Sequence, residues 1–114
     1  MSRKLTERDL KRSSASLLVL ALLDEGPCHG YEIAKQIEAR SGGAISFNIA
    51  SLYPLLYRLE ERGWIVGKWQ QNAGERRRRF YRITSEGRRT LAGERGLWHA
   101  FVTALDRVAN LKKA

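Results

Sequence analysis

The stretch IASLYPLLYRLEER, residues 49–62, limits the possible folds of this chain more than any other part of the sequence. Its apolar residues recur at the spacing of one helical face, which predicts an amphipathic helix from Ile49 to Arg62. Pro54 stands inside this pattern, although proline lacks a backbone donor and crowds the preceding turn. The helix must therefore begin only a few residues before Pro54, and Asn48 is its predicted N-cap. The apolar residues of the face are Ile49, Leu52, Leu55, Leu56 and Leu59.

A second short helix is predicted just before this one. The segment from Gly30 to Arg40 also carries apolar side chains at helical spacing, and the sequence Ser41-Gly42-Gly43 interrupts the pattern. Two short helices joined by a tight connection, the second of them amphipathic, are typical of a helix-turn-helix.

Two strand-like segments follow the helix-turn-helix. Residues Trp64 to Gln70 are rich in strand-forming side chains, and residues Arg79 to Thr84 alternate as a strand does. The sequence QNAG at 71–74 supplies turn residues between them. We therefore predict a mainly α-helical fold with a small β-hairpin, in which the hairpin is the wing of a winged helix-turn-helix.

Longer helices are predicted at both ends of the chain. The first runs from about Glu7 to Asp24, with Thr6 as its cap, and it is apolar on nearly every side over residues 15–23. The last begins at Thr84 or Ser85 and continues to about Leu111. We expect a winged helix-turn-helix domain over residues 1–84 and a C-terminal dimerisation helix over residues 85–114.

The charge of the chain narrows the class of partner. Lys and Arg total 21 against 12 acidic residues among 114, which gives a formal net charge of +9. Such a charge favours nucleic acid or an anionic surface, the alternative being a basic protein with no polyanionic partner. The apolar run at 17–23 is too short to cross a bilayer and does not resemble a signal peptide, so a cytoplasmic location without membrane contact is expected.

Catalysis and metal binding have little support in the sequence. Cys28 is the only cysteine, and with the two histidines, His29 and His99, it cannot complete a four-ligand zinc site in one chain. Neither histidine has an evident catalytic partner, and no glycine-rich phosphate loop is present. We therefore expect no enzyme activity, metal or cofactor.

The outer side of the second helix is the strongest candidate for DNA contact. A helix-turn-helix places its second helix in the major groove with the N-terminal residues nearest the bases. The hydroxyls, the guanidinium and the rigid proline ring on this side could meet phosphates, base edges and a thymine methyl. The alternative for the tyrosines is packing against neighbouring helices. The candidate DNA-binding residues here are Asn48, Ser51, Tyr53, Pro54 and Arg58.

The hairpin carries the second candidate. Four consecutive arginines, Arg76 to Arg79, repel one another unless an anion neutralises them, and phosphates do so through paired hydrogen bonds. An arginine at a loop tip can also enter a minor groove. The alternative is a solvated surface run. The candidate DNA-binding residues on the wing are Lys68, Arg76, Arg77 and Arg78.

An apolar seam along the last helix is the candidate dimer contact. Two-fold dimerisation would cover this seam and would present two recognition helices to major grooves about 34 Å apart. Packing of this helix on its own chain is the alternative. Trp98 is also a candidate for stacking a flat aromatic effector, the alternative being plain core. The candidate dimer residues are Leu17, Leu20, Leu91, Phe101, Leu105 and Val108.

Three phrases in order resemble the PadR family of bacterial transcriptional regulators. They are GPCHGYEIAKQI at 26–37, SLYPLLYRLEERGWI at 51–65 and RRRRFYRITSEGRRTL at 76–91. The resemblance covers about residues 14–111 and places the chain with the compact members that have one C-terminal helix. It implies a homodimeric repressor that binds an inverted-repeat operator, often in its own promoter, with terminal helices exchanged across the dimer. In some compact relatives, a tryptophan of the last helix stacks against planar drugs at the dimer centre, and Trp98 is similar to it in placement.

The sequence therefore favours a dimeric, sequence-specific DNA-binding regulator that represses its own or neighbouring promoters and is released by a small aromatic effector. The alternative is a winged-helix protein-interaction module whose basic wing binds an acidic protein. Fold alone does not decide between them.

Overall fold

The computed structural model describes residues 7–113, and it describes side chains over residues 14–112. Four helices and three short strands follow one another along the chain. The predicted cap Thr6 lies outside the described residues. The elements are α1 (Glu7–Asp24), β1 (Cys28–His29), α2 (Gly30–Arg40), α3 (Ile49–Glu61), β2 (Ile65–Gln70), β3 (Arg78–Ile83) and α4 (Ser85–Ala109), after which a 3₁₀ turn spans Leu111–Lys113.

Side-chain caps fix where three of the helices begin. Asn48 Oδ1 accepts a hydrogen bond from the Ala50 amide at 2.9 Å and starts α3. Thr84 Oγ1 accepts one from the Gly87 amide at 3.0 Å and starts α4. His29 caps α2 through its ring nitrogen. Each cap satisfies an amide that has no partner within its own helix, so the helix boundaries follow from these residue types.

The strands form one antiparallel sheet in the order β1-β3-β2. The hairpin of β2 and β3 pairs Gly67 with Tyr81 and Trp69 with Arg79. The edge strand β1 pairs His29 with Phe80. The sequence does not predict β1, because two residues are too few to show an alternating pattern. The predicted hairpin and the mainly helical winged fold are confirmed, with a third strand added to the sheet.

The core lies where α1, α2 and α3 pack together over the sheet. It contains Val19, Leu20, Leu23, Ile33, Ala34, Ile37, Leu52, Leu55, Leu56, Leu59, Ile65, Tyr81, Ile83 and Leu91. Two of these residues were predicted to contact a second copy of the chain. Leu20 is 0% exposed and Leu91 is 1% exposed, so both belong to the core of this chain and that prediction was wrong for them. The first turns of α4 help to fill the same core.

The distal part of α4 extends beyond the core. The molecule measures 54 × 32 × 23 Å, and α4 alone is about 37 Å long at the usual helical rise. Asn110 ends this helix in the left-handed conformation, with a φ of 56°. Among the described residues, no helix is both long enough and apolar enough to span a membrane.

Candidate nucleic-acid interface

One side of α3 packs in the core and the other faces solvent. Its leucines are buried, whereas Ser51, Tyr53, Pro54 and Arg58 are exposed. Pro54 is the sixth residue of the helix, just past the first turn. Because proline has no N–H, the carbonyl of Ala50 receives no hydrogen bond from the residue four positions later. The exposed side of α3 therefore combines hydroxyl groups with a guanidinium, and the carbonyl of Ala50 lacks the usual bond from residue 54.

Tyr53 is held in place by contact with the start of α2. A β-carbon added at Gly30 would lie 3.0 Å from both the Cε1 and the hydroxyl oxygen of Tyr53, so the tyrosine ring rests against the glycine backbone. The side chain of Tyr53 is nevertheless 44% exposed. This tyrosine thus packs against α2 and also presents a surface to solvent. The predicted DNA contact and the alternative of helix packing are therefore compatible for Tyr53.

A cleft of about 640 Å³ separates the helix-turn-helix from the hairpin. We call it the interface cleft. It brings Tyr53 of α3 together with three of the predicted wing residues, Arg76, Arg77 and Arg78. The full lining is His29, Gly30, Tyr31, Tyr53, Trp69, Arg76, Arg77, Arg78, Arg79 and Tyr81. Cationic side chains and aromatic rings that line the same cleft suit a polyanion that also carries planar groups.

Trp69 organises the arginines of the hairpin. The Arg77 guanidinium lies 4.8 Å from the centre of the Trp69 ring, and that of Arg79 lies 5.6 Å from it. Such contacts are attractive because the face of an indole ring is electron-rich. Trp69 is itself 52% exposed. The tryptophan ring thus attracts two of the positive charges of the hairpin.

Arg79 differs from its three neighbours because it has an acidic partner. Its Nη2 donates to both carboxylate oxygens of Glu60 on α3, at 2.8 and 3.1 Å. The hydrogen bond from Glu60 raises the pKa of the Arg79 guanidinium. Both side chains are about one-quarter to one-third exposed, at 24% for Glu60 and 30% for Arg79. Arg79 is therefore largely committed to a contact within the chain.

His29 joins the start of α2 to the wing. Its Nδ1 accepts a hydrogen bond from the Glu32 amide at 3.2 Å, while its Nε2 lies 3.1 Å from Nη1 of Arg78. The ring also meets Phe80 edge to face, with the ring centres 5.4 Å apart. Burial and the nearby Arg78 charge lower the pKa of His29. A neutral imidazole is thus favoured, because Nδ1 accepts from the Glu32 amide and a positively charged ring would be repelled by the Arg78 guanidinium.

The structure does not bring every predicted DNA-binding residue into the interface cleft. Ser51 and Arg58 line a separate groove, which runs between α3 and α1 and also contains Arg62. Asn48 uses its side-chain oxygen to cap α3. Lys68 is exposed on the face of the hairpin away from α3, since alternate residues of a strand point to opposite faces and Gly67 faces Glu60.

Six cleft residues were not among the predicted DNA-binding residues: His29, Gly30, Tyr31, Trp69, Arg79 and Tyr81. Tyr31 is the second residue of α2, Trp69 is the last but one of β2, and His29 lies in the two-residue strand. Strand alternation would have placed Trp69 on the same face as Arg79, because the two residues are directly opposite in the hairpin. No pattern in the sequence predicts that Tyr31 and His29 lie beside the wing, since this depends on the path of the chain between elements.

An apolar face of α4 stays partly open to solvent. Leu105 is 42% exposed and Val108 is 90% exposed, while Phe101 and Leu17 are half-buried. Trp98 is half-buried and meets Phe101 edge to face, with ring centres 5.7 Å apart. The indole N–H of Trp98 is buried without a hydrogen-bond partner among the described residues. A buried donor of this kind is costly unless another molecule supplies an acceptor.

Comparison with known proteins identifies close relatives of this architecture. The model of the transcriptional regulator PadR-like family matches residues 19–93. The transcriptional regulator Rv3488 of Mycobacterium tuberculosis is 33% identical over 88 residues, which cover 77% of this chain and 78% of that protein.

Solved structures agree with the match to the family model. A PadR family transcriptional regulator from Eggerthella lenta has a TM-score of 0.75 and 31% identity, over 90% of this chain and 87% of that one. Bacillus subtilis PadR, solved in complex with operator DNA, has a TM-score of 0.64 and 24% identity, over 70% of this chain and 46% of that one. The likeness to this last structure is one of fold.

Proposed function

Because the chain belongs to the PadR-like family of transcriptional regulators, we propose that it is a dimeric, sequence-specific DNA-binding protein. The interface cleft is the observation that carries this proposal. It combines an exposed helix surface with an arginine-rich wing, and arginine side chains are common partners of DNA phosphates. The related Bacillus subtilis PadR was solved in complex with operator DNA, which supports the same class of partner here.

In this proposal α3 is the recognition helix. Its exposed N-terminal half, with Ser51, Tyr53 and Pro54, enters the major groove, where base edges can be distinguished. Arg76, Arg77 and Arg78 on the wing bind phosphates or reach the adjacent minor groove. Arg58, which lines the groove toward α1, meets the backbone on the other side of the recognition helix.

We propose a homodimer that forms through the exposed face of α4. Phe101, Leu105 and Val108 lie along one side of the helix, and Leu17 of α1, which is also half-buried, is the proposed contribution of that helix. Leaving this face in water is unfavourable in proportion to its apolar area. A two-fold pair would also match an inverted-repeat operator, because each half-site receives one recognition helix.

The proposed regulator represses its own or neighbouring promoters and is released by a small aromatic effector. The support for an effector is Trp98, whose ring lies on the apolar face of α4 and whose buried N–H lacks an acceptor among the described residues. A planar ligand that stacks on this ring and accepts a hydrogen bond would suit both features. An effector releases DNA only if it binds one dimer geometry more tightly than another. The geometry that it prefers must be the one that cannot bind the operator.

The test is selection of bound sequences from a pool of random duplexes by the purified protein at about physiological salt. A two-fold symmetric motif is the expected result, since a symmetric dimer reads both half-sites alike. Binding without enrichment that disappears as salt rises would contradict the proposal, because it would show phosphate attraction without base recognition. That outcome would favour the alternative, in which the basic wing binds an acidic protein.

A further inference from the structure

The hairpin has few connections to the recognition helix, and one of them is ionic. The tip of the wing, from Gln70 to Arg78, is exposed throughout. A hairpin of this kind gains little position from burial and needs another contact to fix its direction. The ion pair between Glu60 of α3 and Arg79 of β3 supplies such a contact.

Glu60 holds both strands of the hairpin at the same time. One carboxylate oxygen, Oε2, accepts from the Gly67 amide of β2 at 3.3 Å and from Arg79 of β3 at 2.8 Å. The carboxylate thus joins α3 to the two strands of the wing at one point. The C-terminal part of the recognition helix is where this contact occurs, so the wing takes its direction from the helix that reads DNA.

Gly67 leaves the space that this contact requires. A β-carbon at Gly67 would lie 2.5 Å from Nε of Arg79, so any other residue would displace the arginine side chain. The φ of Gly67 is not positive, so backbone conformation does not require glycine at this position. The reason for glycine at this position is therefore the passage of Arg79 across the strand toward Glu60.

The ion pair continues toward the DNA side of the wing. Arg79 contacts the ring of Trp69, and the same ring contacts Arg77, which lies in the tip of the wing. Arg76 and Arg77 have no acidic partner among the described residues, unlike Arg79. Arg76 and Arg77 thus remain available for phosphates. They are connected to α3 through Arg79, which is not available because Glu60 binds it.

We propose that Glu60 and Arg79 form a positioning pair, which fixes the wing against the recognition helix and makes Arg79 a determinant of specificity that does not itself bind phosphate. The proposal rests on the function proposed above. It separates the arginine run, which looks uniform in the sequence, into DNA-binding residues and one positioning residue.

Replacement of Glu60 by Gln gives a test in which two explanations predict opposite signs. Removal of a negative charge near DNA would by itself strengthen binding to every duplex. The positioning role predicts instead that Glu60→Gln weakens binding to the selected operator by about tenfold, comparable to the loss of one well-placed contact, while binding to random DNA is unchanged or tighter. The matched control is Glu61→Gln, which removes the same charge from an exposed neighbour.

Two more variants test the pair without that change of charge at Glu60. Gly67→Ala is neutral and should displace Arg79, so it should lower operator binding as Glu60→Gln does. Arg79→Ala should leave the dependence of binding on salt unchanged, whereas a phosphate-binding arginine would lower that slope by about one ion. The double variant Glu60→Gln/Arg79→Ala should lose no more operator affinity than Arg79→Ala alone.

A measurement without DNA separates this proposal from the function proposed above. Amide hydrogen exchange in the hairpin, including that of Gly67, should become faster in Glu60→Gln, while the midpoint of global unfolding stays close to that of the wild type. Equal operator preference in wild type and Glu60→Gln, or unchanged exchange in the hairpin, would overturn the positioning role. Absence of any operator preference in the wild type, with faster exchange in the variant, would instead overturn DNA reading alone and leave the ionic contact established.

Discussion

At the scale of single residues, side chains of similar chemistry have different surroundings. The four arginines of the wing look alike in the sequence, yet Arg78 contacts His29, Arg77 stacks on Trp69 and Arg79 is paired with Glu60. The sequence predicts an arginine-rich wing because composition and turn residues are local. It does not predict the Glu60–Arg79 pair, because the two residues are 19 positions apart and meet only in the folded chain.

Tyr53 and Arg77 should have separable effects on DNA binding. We expect Tyr53→Ala to reduce the ratio of operator to random-DNA affinity by about tenfold, since a groove contact carries sequence information. Arg77→Ala should weaken binding to both duplexes, since a phosphate contact carries no sequence information. It should also lower the slope of log affinity against log salt concentration by about one. Titration of both duplexes at several salt concentrations measures the two effects. An unchanged ratio in Tyr53→Ala would remove that tyrosine from base recognition.

His29 should make stability depend on pH in a defined range. Burial lowers its pKa in the folded chain, so the unfolded chain binds the proton more readily once the pH falls below the ordinary histidine value of about 6.5. The free energy of unfolding should therefore decrease from about pH 7 to pH 5. Protonation also removes the Nδ1 acceptor that caps α2.

The variant His29→Asn keeps a capping side chain but cannot titrate in this range. Denaturant unfolding at a series of pH values should give it a smaller decrease than the wild type. The control His99→Asn removes an exposed histidine from α4. Identical pH profiles for wild type and His29→Asn would contradict the assignment of this effect to His29.

At the scale of elements, the helices follow from local sequence signals, whereas the strand β1 and the packing of α4 depend on contacts in the folded chain. The helices were predicted within one or two residues because caps and apolar spacing are local signals, as at Asn48 and Thr84. The strand β1 was missed because its two residues gain their conformation only by pairing with β3. The inward packing of Leu91 was missed because a regular apolar seam does not show which molecule covers each part of it.

Two glycines of α4 should respond in opposite ways to replacement by alanine. A β-carbon at Gly87 would overlap the backbone oxygen of Trp64, whereas one at Gly93 would meet nothing within 4 Å. Gly87→Ala should lower the free energy of unfolding by about 3 kcal/mol, because backbone cannot move aside easily. Gly93→Ala should raise it by about 0.5–1 kcal/mol through helix propensity. Urea unfolding measures both, and similar values for the two would contradict this difference in packing.

At the scale of the whole molecule, the long α4 gives the chain a shape that a single core does not require. Its distal half carries exposed apolar residues far from the core, with Val108 the most exposed of them. The sequence predicts this seam from its heptad-like spacing, and it does so without any folded context. Which residues remain available to a partner follows only from the packing of α1 and α4.

Replacement of Leu105 by Glu should therefore convert the proposed dimer to a monomer. The change places a charge on the apolar face of α4 and keeps a residue that favours helix. Sedimentation at micromolar protein should show half the mass, with operator affinity lowered by at least about a hundredfold because only one half-site is bound at a time. Ala100→Glu, on an exposed position of the opposite side, is the matched control and should remain dimeric.

Pro54 has a consequence that reaches beyond helix geometry. The carbonyl of Ala50, which lacks its usual amide partner from residue 54, belongs to an exposed residue in the first turn of the recognition helix and can accept a hydrogen bond. In a major groove such an oxygen would attract the exocyclic amino group of adenine or cytosine and repel the keto oxygen of thymine or guanine. Part of the base preference would then survive every side-chain substitution on this helix and disappear when Pro54→Ala restores the missing amide.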